Sequence, residues 1–155
     1  MSTKVWANPV RLVVEVVGEA LNGPQWAAYR DWNRVGEVPA LQVPVSDRRP
    51  YKVPADGRFV RVVFIASDDA VRHGLVESHV LEIEAYAADD YEARELLLDA
   101  RRALHEAEGM TLSTDVGPRV LRHLSEPGKP TPLPTGEDNE ERWRMAVGVE
   151  LSTRG

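Results

Sequence analysis

The chain contains no cysteine, which excludes disulfides, thiolate metal sites and cysteine nucleophiles, and fits an intracellular origin. It also lacks a long apolar run at its start. In "MSTKVWANPVRLVVEVVGEAL" the hydrophobic stretch is broken by Arg11, Glu15 and Glu19 and has no small-residue cleavage pattern, so neither a signal peptide nor a membrane span is expected. Positive charge is in deficit. A net charge of −6 argues against a protein whose whole surface grips nucleic acid. The basic clusters "SDRRPYK" (46–52) and "ERWR" (141–144) read as solvated edges of strands and loops. What remains is ordinary globular material: 155 residues, 43% hydrophobic and 28% charged, enough for one domain with its own core.

Punctuation brackets the first element. Asn8 suits an N-cap, Pro9 the first helical position, and Gly23-Pro24 a stop. Between them Val10, Val13, Val14, Val17 and Leu21 share one helical face, although the valines favour a strand and Gly18 weakens a helix. A short helix near 25–33 is expected to lead into a loop. In "ALQVPVS" residues Leu41, Val43 and Val45 alternate, and Pro44 limits this stretch to an edge strand. A strand is expected over 58–67, a polar loop over 68–77, and a half-buried strand where Leu81, Ile83 and Ala85 alternate with Glu82, Glu84 and Tyr86. A long helix over 90–108, a strand at 119–126, an extended mobile connection through the four prolines of 127–141, and a last strand from Trp143 to Leu151 complete the pass. The pattern predicts an α+β fold. A mostly antiparallel sheet of four to five strands is packed by an N-terminal helix and one long central helix, in a single domain over 1–155 with a possible insertion at 24–40.

The pair Asp89-Asp90 is the first suspect for chemistry. With Asp89 as N-cap, Glu92 falls at the capping-box position, and Asp90 and Glu92 place negative charge where the helix dipole favours it. Arg101, Arg102 and His105 crowd the far end and Gly109 suits a left-handed closure, so helix physics explains these charges without a catalytic role. "HEAEG" (105–109) begins like a zincin motif, but Gly109 stands where the second histidine is needed. "PGKP" lacks the phosphate-loop spacing, no G-x-S-x-G elbow is present, and "SDD" (67–69) lacks the rest of a calcium loop. No catalytic, cofactor-binding or metal-ligating residues are therefore assigned.

The long helix carries a different signal. Ala93, Leu96, Leu97, Ala100, Leu104 and Ala107 form one stripe toward the sheet, while Tyr91, Leu98 and His105 recur every seven residues on the opposite face. Those three are candidates for contact with a neighbouring subunit.

Residues "EIEAYAADDYEARELLLDARRAL" (82–104), "GPRVL" (117–121), a proline-rich loop and the closing strand "ERWRMAVGVELSTRG" (141–155) resemble tail terminator proteins of long-tailed, siphovirus-type actinobacterial phages. "GRFVRVVFIAS" (57–67) is similar to the valine-rich segment that such sequences often carry before the central pair. The resemblance covers roughly 41–154 and rests on the order and texture of segments; the tryptophan-bearing segment 24–40 departs from it. It implies a non-enzymatic virion protein at the tail–neck junction, assembled in the host cytoplasm. Its self-assembled ring, a homohexamer, would cap the tail tube protein, stop its polymerisation and dock the head or neck connector. DNA would pass through the lumen without specific binding, a task that an acidic subunit suits. No cofactor and no membrane partner are implied. Under this resemblance Leu41 and Val43 of the edge strand join the candidates for subunit contact, and Trp26 and Trp32, with Lys129 and Leu133 in the proline-rich loop, are candidates for axial contacts. The alternatives are another head–tail connector or tail-completion protein or, from a different class, a small intracellular ligand-binding or metal-dependent α+β enzyme using His79, Glu82 and His123.

Overall fold

Asn8 opens the first helix because its side-chain oxygen accepts the amide of Arg11 at 3.1 Å, and Pro9 costs nothing at a position whose N–H would go unused. The computed structural model describes residues 7–30, 42–50, 52–68, 76–136 and 139–153. Helix α1 (Pro9–Asn22) ends at Gly23, whose φ of 62° suits glycine and whose N–H reaches Glu19 O at 2.8 Å. The short helix α2 (Pro24–Arg30) folds back on α1. Gly18 makes that return possible: a Cβ there would stand 2.5 Å from the Trp26 ring. The indole lies flat on the bare backbone of α1 and donates to Glu15 at 2.9 Å.

Six strands form one sheet in the order β1-β2-β3-β6-β5-β4, with β1 (Val45–Ser46), β2 (Phe59–Asp68), β3 (Val76–Ala87), β4 (Thr111–Thr114), β5 (Gly117–Leu133) and β6 (Glu141–Ser152). Every pairing is antiparallel except β1 with β2, where Val45 stands beside Val60. Register follows from alternation, since a one-residue slip would turn each apolar row outward. Val62, Ile83 and Met145 sit side by side across β2, β3 and β6, all buried. The next row, on the opposite face, holds Arg61, Glu84, Arg144 and Thr131.

Helix α3 (Asp90–Ala107) lies with α1 over the apolar face. Asp89 caps it, accepting the Tyr91 amide at 2.7 Å, and Gly109 adopts a φ of 87° just beyond its end. All six residues of the expected inner stripe are buried. Asp90 also has a tertiary partner: its carboxylate accepts from the Trp143 indole at 2.9 Å, tying the first turn of α3 to β6.

Several expectations need correction. The sheet has six strands, because "TLST" (111–114) folds back on β5 as a hairpin arm. The edge strand is only Val45–Ser46, and β3 starts at Val76, inside the expected polar loop. The proline-rich stretch is mostly strand: β5 runs to Leu133, with Pro132 opposite Trp143. Two prolines are absorbed by bulges. From Ser125 to Gly128, and again from Gly128 to Thr131, β5 spends one residue more than β6, and these intervals contain Pro127 and Pro130. β4 pairs with β5 only to Val120, so this part of β5 is an edge strand among the described residues, the place where a sheet tolerates proline. Of segment 24–40, residues 24–30 belong to α2 and its neighbour 31–41 lies outside the described residues.

Candidate assembly surface

The outward side of α3 is less uniform than the seven-residue repeat suggests. Tyr91 is 65% exposed, whereas Leu98 is only partly so. His105 is committed to its own chain. Its Nε2 meets Glu126 of β5, and the same carboxylate accepts from Arg101 Nε at 2.8 Å. Arg101 holds the Glu126 carboxyl below the usual carboxylate range; partial burial opposes this and His105 adds to it. The trio fastens the last turns of α3 to β5, so the free part of the proposed subunit face narrows to Tyr91 and the rim of Leu98.

Two other candidates are used up by the core. Val43 is 1% exposed, and its backbone is gripped on both sides by Asn22, which donates to Val43 O and accepts from Val43 N, each at 2.8 Å. Trp26, 3% exposed, is sandwiched against Gly18. Neither side chain is available to a neighbour, so both are corrected: alternation and aromatic character read as a surface signal where they were packing signals. Leu41 and Trp32 lie outside the described residues. Lys129 is exposed and Leu133 partly exposed, both on β5 rather than on a loose loop.

The residues of the alternative, pocket-based reading do not converge. His79 projects on the helix-covered face, Glu82 on the other, where it meets Arg144 at 3.4 Å, and His123 is an exposed neighbour of Glu108. Sequence reasoning missed a different grouping. His79, 1% exposed, lies with Nε2 2.8 Å from Glu77 and Nδ1 2.5 Å from the Ser67 hydroxyl, and Glu77 also accepts the Ala7 amide at 3.0 Å. The i, i+2 spacing of Glu77 and His79 on one strand face was readable, but Ser67 comes from β2 and Ala7 from the approach to α1. This buried polar cluster joins the start of β3 to the segment entering α1. Among the described residues no group of three or more His, Asp or Glu is placed to hold a metal ion.

The opposite face of the sheet is a charged lattice. Arg61 lies 3.9 Å from Glu84, whose carboxylate also accepts from Tyr86 at 2.9 Å. Tyr86 stacks on Phe59 at 4.3 Å, and the Arg49 guanidinium lies 5.3 Å from the centre of the Phe59 ring. Burial first, and the Glu84 carboxylate second, raise the Tyr86 phenol above its ordinary value. Arg49 in turn pairs with Glu140 at 2.7 Å, closing this end of the face.

No protein-family model matches the chain, and no curated protein matches it. Eleven solved chains do. One belongs to the virion of a native gene transfer agent particle: 17% identity, covering 70% of this chain and 78% of that one, with a TM-score of 0.49. A second solved chain is also 17% identical, covering 92% of this chain and 96% of its own length, with a TM-score of 0.46.

Proposed function

We propose that this chain is a phage virion structural protein and, more finely, a tail terminator. Its ring would cap the tail tube, stop tube polymerisation and present the docking surface for the head or neck. The observation that carries the reading is the placement of the resembling segments. Residues 82–104, 117–121 and 141–152 are not scattered; they form the contiguous unit β3–α3–β5–β6. That unit leaves Tyr91 65% exposed on its outer side. A large aromatic displayed on a rigid helix suits a subunit contact, since aromatic anchors dominate interface energetics.

The mechanism is geometric. A heterologous contact repeated by rotation closes into a ring. One ring face meets the last turn of the tube and the other the neck, with the β5–β6 arm carrying Lys129 and Leu133 as the axial candidate. The net charge of −6 leaves a lumen without attraction for passing DNA. The reading is tested by light scattering and negative-stain imaging of the purified protein, alone and with a tail tube protein from the same source. Rings with a central hole in either sample support it; a monomer in both overturns it.

A further inference from the structure

Each end of the sheet leaves a few backbone groups without a strand to bond. On β2 the Val60 N–H points away from β3, to Pro44 O at 2.9 Å. Alternation along a strand turns Val62 and Phe64 the same way. β1 ends at Ser46, whose register with Arg61 sets its carbonyl against the Val62 N–H. What stays bare among the described residues is the Val62 C=O and both backbone groups of Phe64, until the bulge at Ile65 ends the run. On β4 the anchor is Met110 O, which points toward β5 and accepts from Leu121 N at 3.0 Å. Alternation then turns Leu112 toward β5, and Thr111 and Ser113 away from it. Ser113 agrees: it stands opposite Pro118, which has no N–H to give it. Among the described residues no side chain or turn bonds these outward groups.

We infer that the bare edge of β2 pairs in parallel with the bare edge of β4 in a second copy of this chain, Phe64 beside Leu112. Thr111 N–H would bond Val62 O, Phe64 N–H would bond Thr111 O, and Ser113 N–H would bond Phe64 O. Direction and face both agree. Four antiparallel pairings separate β2 from β4, so the two strands run the same way. Phe64 shares a face with its partner Leu81, buried beneath the helices, and Leu112 packs on the core from that same side. An antiparallel contact would instead oppose Phe64 to Thr111 or Ser113, whose exposed side chains lie on the other face. Helix α1 supplies a roof. A groove of about 380 Å³ lies between Arg11, Leu12, Val16 and Glu19 of α1 and residues 111–115, and it receives the Phe64 ring, 50% exposed in a single copy. Backbone bonds supply the attraction and the ring in its groove the specificity. The contact is heterologous, and a rotation about an axis along the strands repeats it. Only closure into a ring rests on the tail-terminator reading; the strand pairing does not.

The absence of cysteine makes the contact addressable. Ala66→Cys and Ser113→Cys proteins, altered at exposed positions that the pairing brings close, are treated with a short bis-maleimide, separately and mixed. The mixture is expected to give covalent dimer well above either protein alone, and the double variant a ladder of higher species. Phe64→Asp is expected to weaken self-association about tenfold, the effect of losing one interface anchor. Ser113→Pro removes one outward N–H and spares the bonds from β4 to β5, so it should weaken association at an unchanged melting temperature, and it serves where Phe64→Asp does not fold. Dimer from Ala66→Cys alone equal to that from the mixture overturns the inference in favour of two-fold pairing of β2. No cross-link in the mixture overturns it too, even where wild-type protein forms rings. Cross-linking without rings keeps the edge contact and removes the ring reading.

Discussion

Asn22 and Val43 pair as though the side chain of a helix were a strand: the Asn22 amide donates to Val43 O and its oxygen accepts from Val43 N, both at 2.8 Å. A third bond, to Gly18 O at 2.9 Å, fixes the rotamer. The last residue of α1 thereby holds the chain on course for β1. Asn22→Ala leaves a buried donor and acceptor of the backbone unpaired, and is expected to cost on the order of 2 kcal/mol. Urea unfolding reads the loss, and the Val43 amide should exchange faster than those of β3.

Gly18→Ala separates propensity from packing. Helix propensity alone predicts a gain of about 1 kcal/mol. The Trp26 ring, 2.5 Å from the new methyl, must instead be displaced, and overpacking of this kind costs about 1–3 kcal/mol. We expect net destabilisation, with the sign reversed when Trp26 is first shortened to leucine. Thermal unfolding of the two single variants and the double variant closes the cycle.

The Arg101–Glu126–His105 contact gives stability a pH dependence. Glu126 has its carboxyl lowered in the folded state, chiefly by Arg101. Its contribution is therefore present above the ordinary carboxylate value of an unfolded chain and is lost as pH falls through the lower, folded value. Arg101 is 41% exposed, which limits the contribution to about 1 kcal/mol or less. Glu126→Gln should lower the melting temperature at neutral pH and narrow the difference from wild type below pH 4, roughly the carboxylate range. Calorimetry across pH checks this.

Assembly and stability should part at two positions of α3. Tyr91→Glu, at an exposed first-turn site where negative charge is favoured, should change stability by less than about 0.5 kcal/mol. It should nevertheless reduce ring formation in negative stain. Leu98→Asp should lower both stability and assembly, because Leu98 is partly buried. Rings of normal abundance from Tyr91→Glu would remove this face from the subunit contact.

How much of this was legible depended on whether a residue's partner was local. Asn8, Gly23 and Asp89 act on backbone within a few positions, and their roles follow from spacing alone. The buried stripe of α3 and the alternation of β6 were likewise complete in one segment. The prolines of β5 misled because tolerance for them depends on a neighbouring strand distant in sequence, 11 residues on for Pro132 and Trp143, and on bulges that have no composition of their own. Val43 and Trp26 misled for a related reason: an edge strand and a tryptophan-bearing turn both read as surface until Asn22 and Gly18 are seen beneath them. The Ser67–His79–Glu77 cluster joins two strands and the approach to a helix, and no single segment announces it.

β6 is made last of the six strands yet lies in the middle of the sheet, between β3 and β5. Until β6 docks, the strands form two half-sheets, β1-β2-β3 and β4-β5, that no strand pairing joins, although α3 touches both. For that interval the edges of β3 and β5 that will meet β6 are both bare. Pairings between residues so distant in sequence form late. A chain whose β6 has not yet docked is thus at its most adhesive, with two bare strand edges open to other chains.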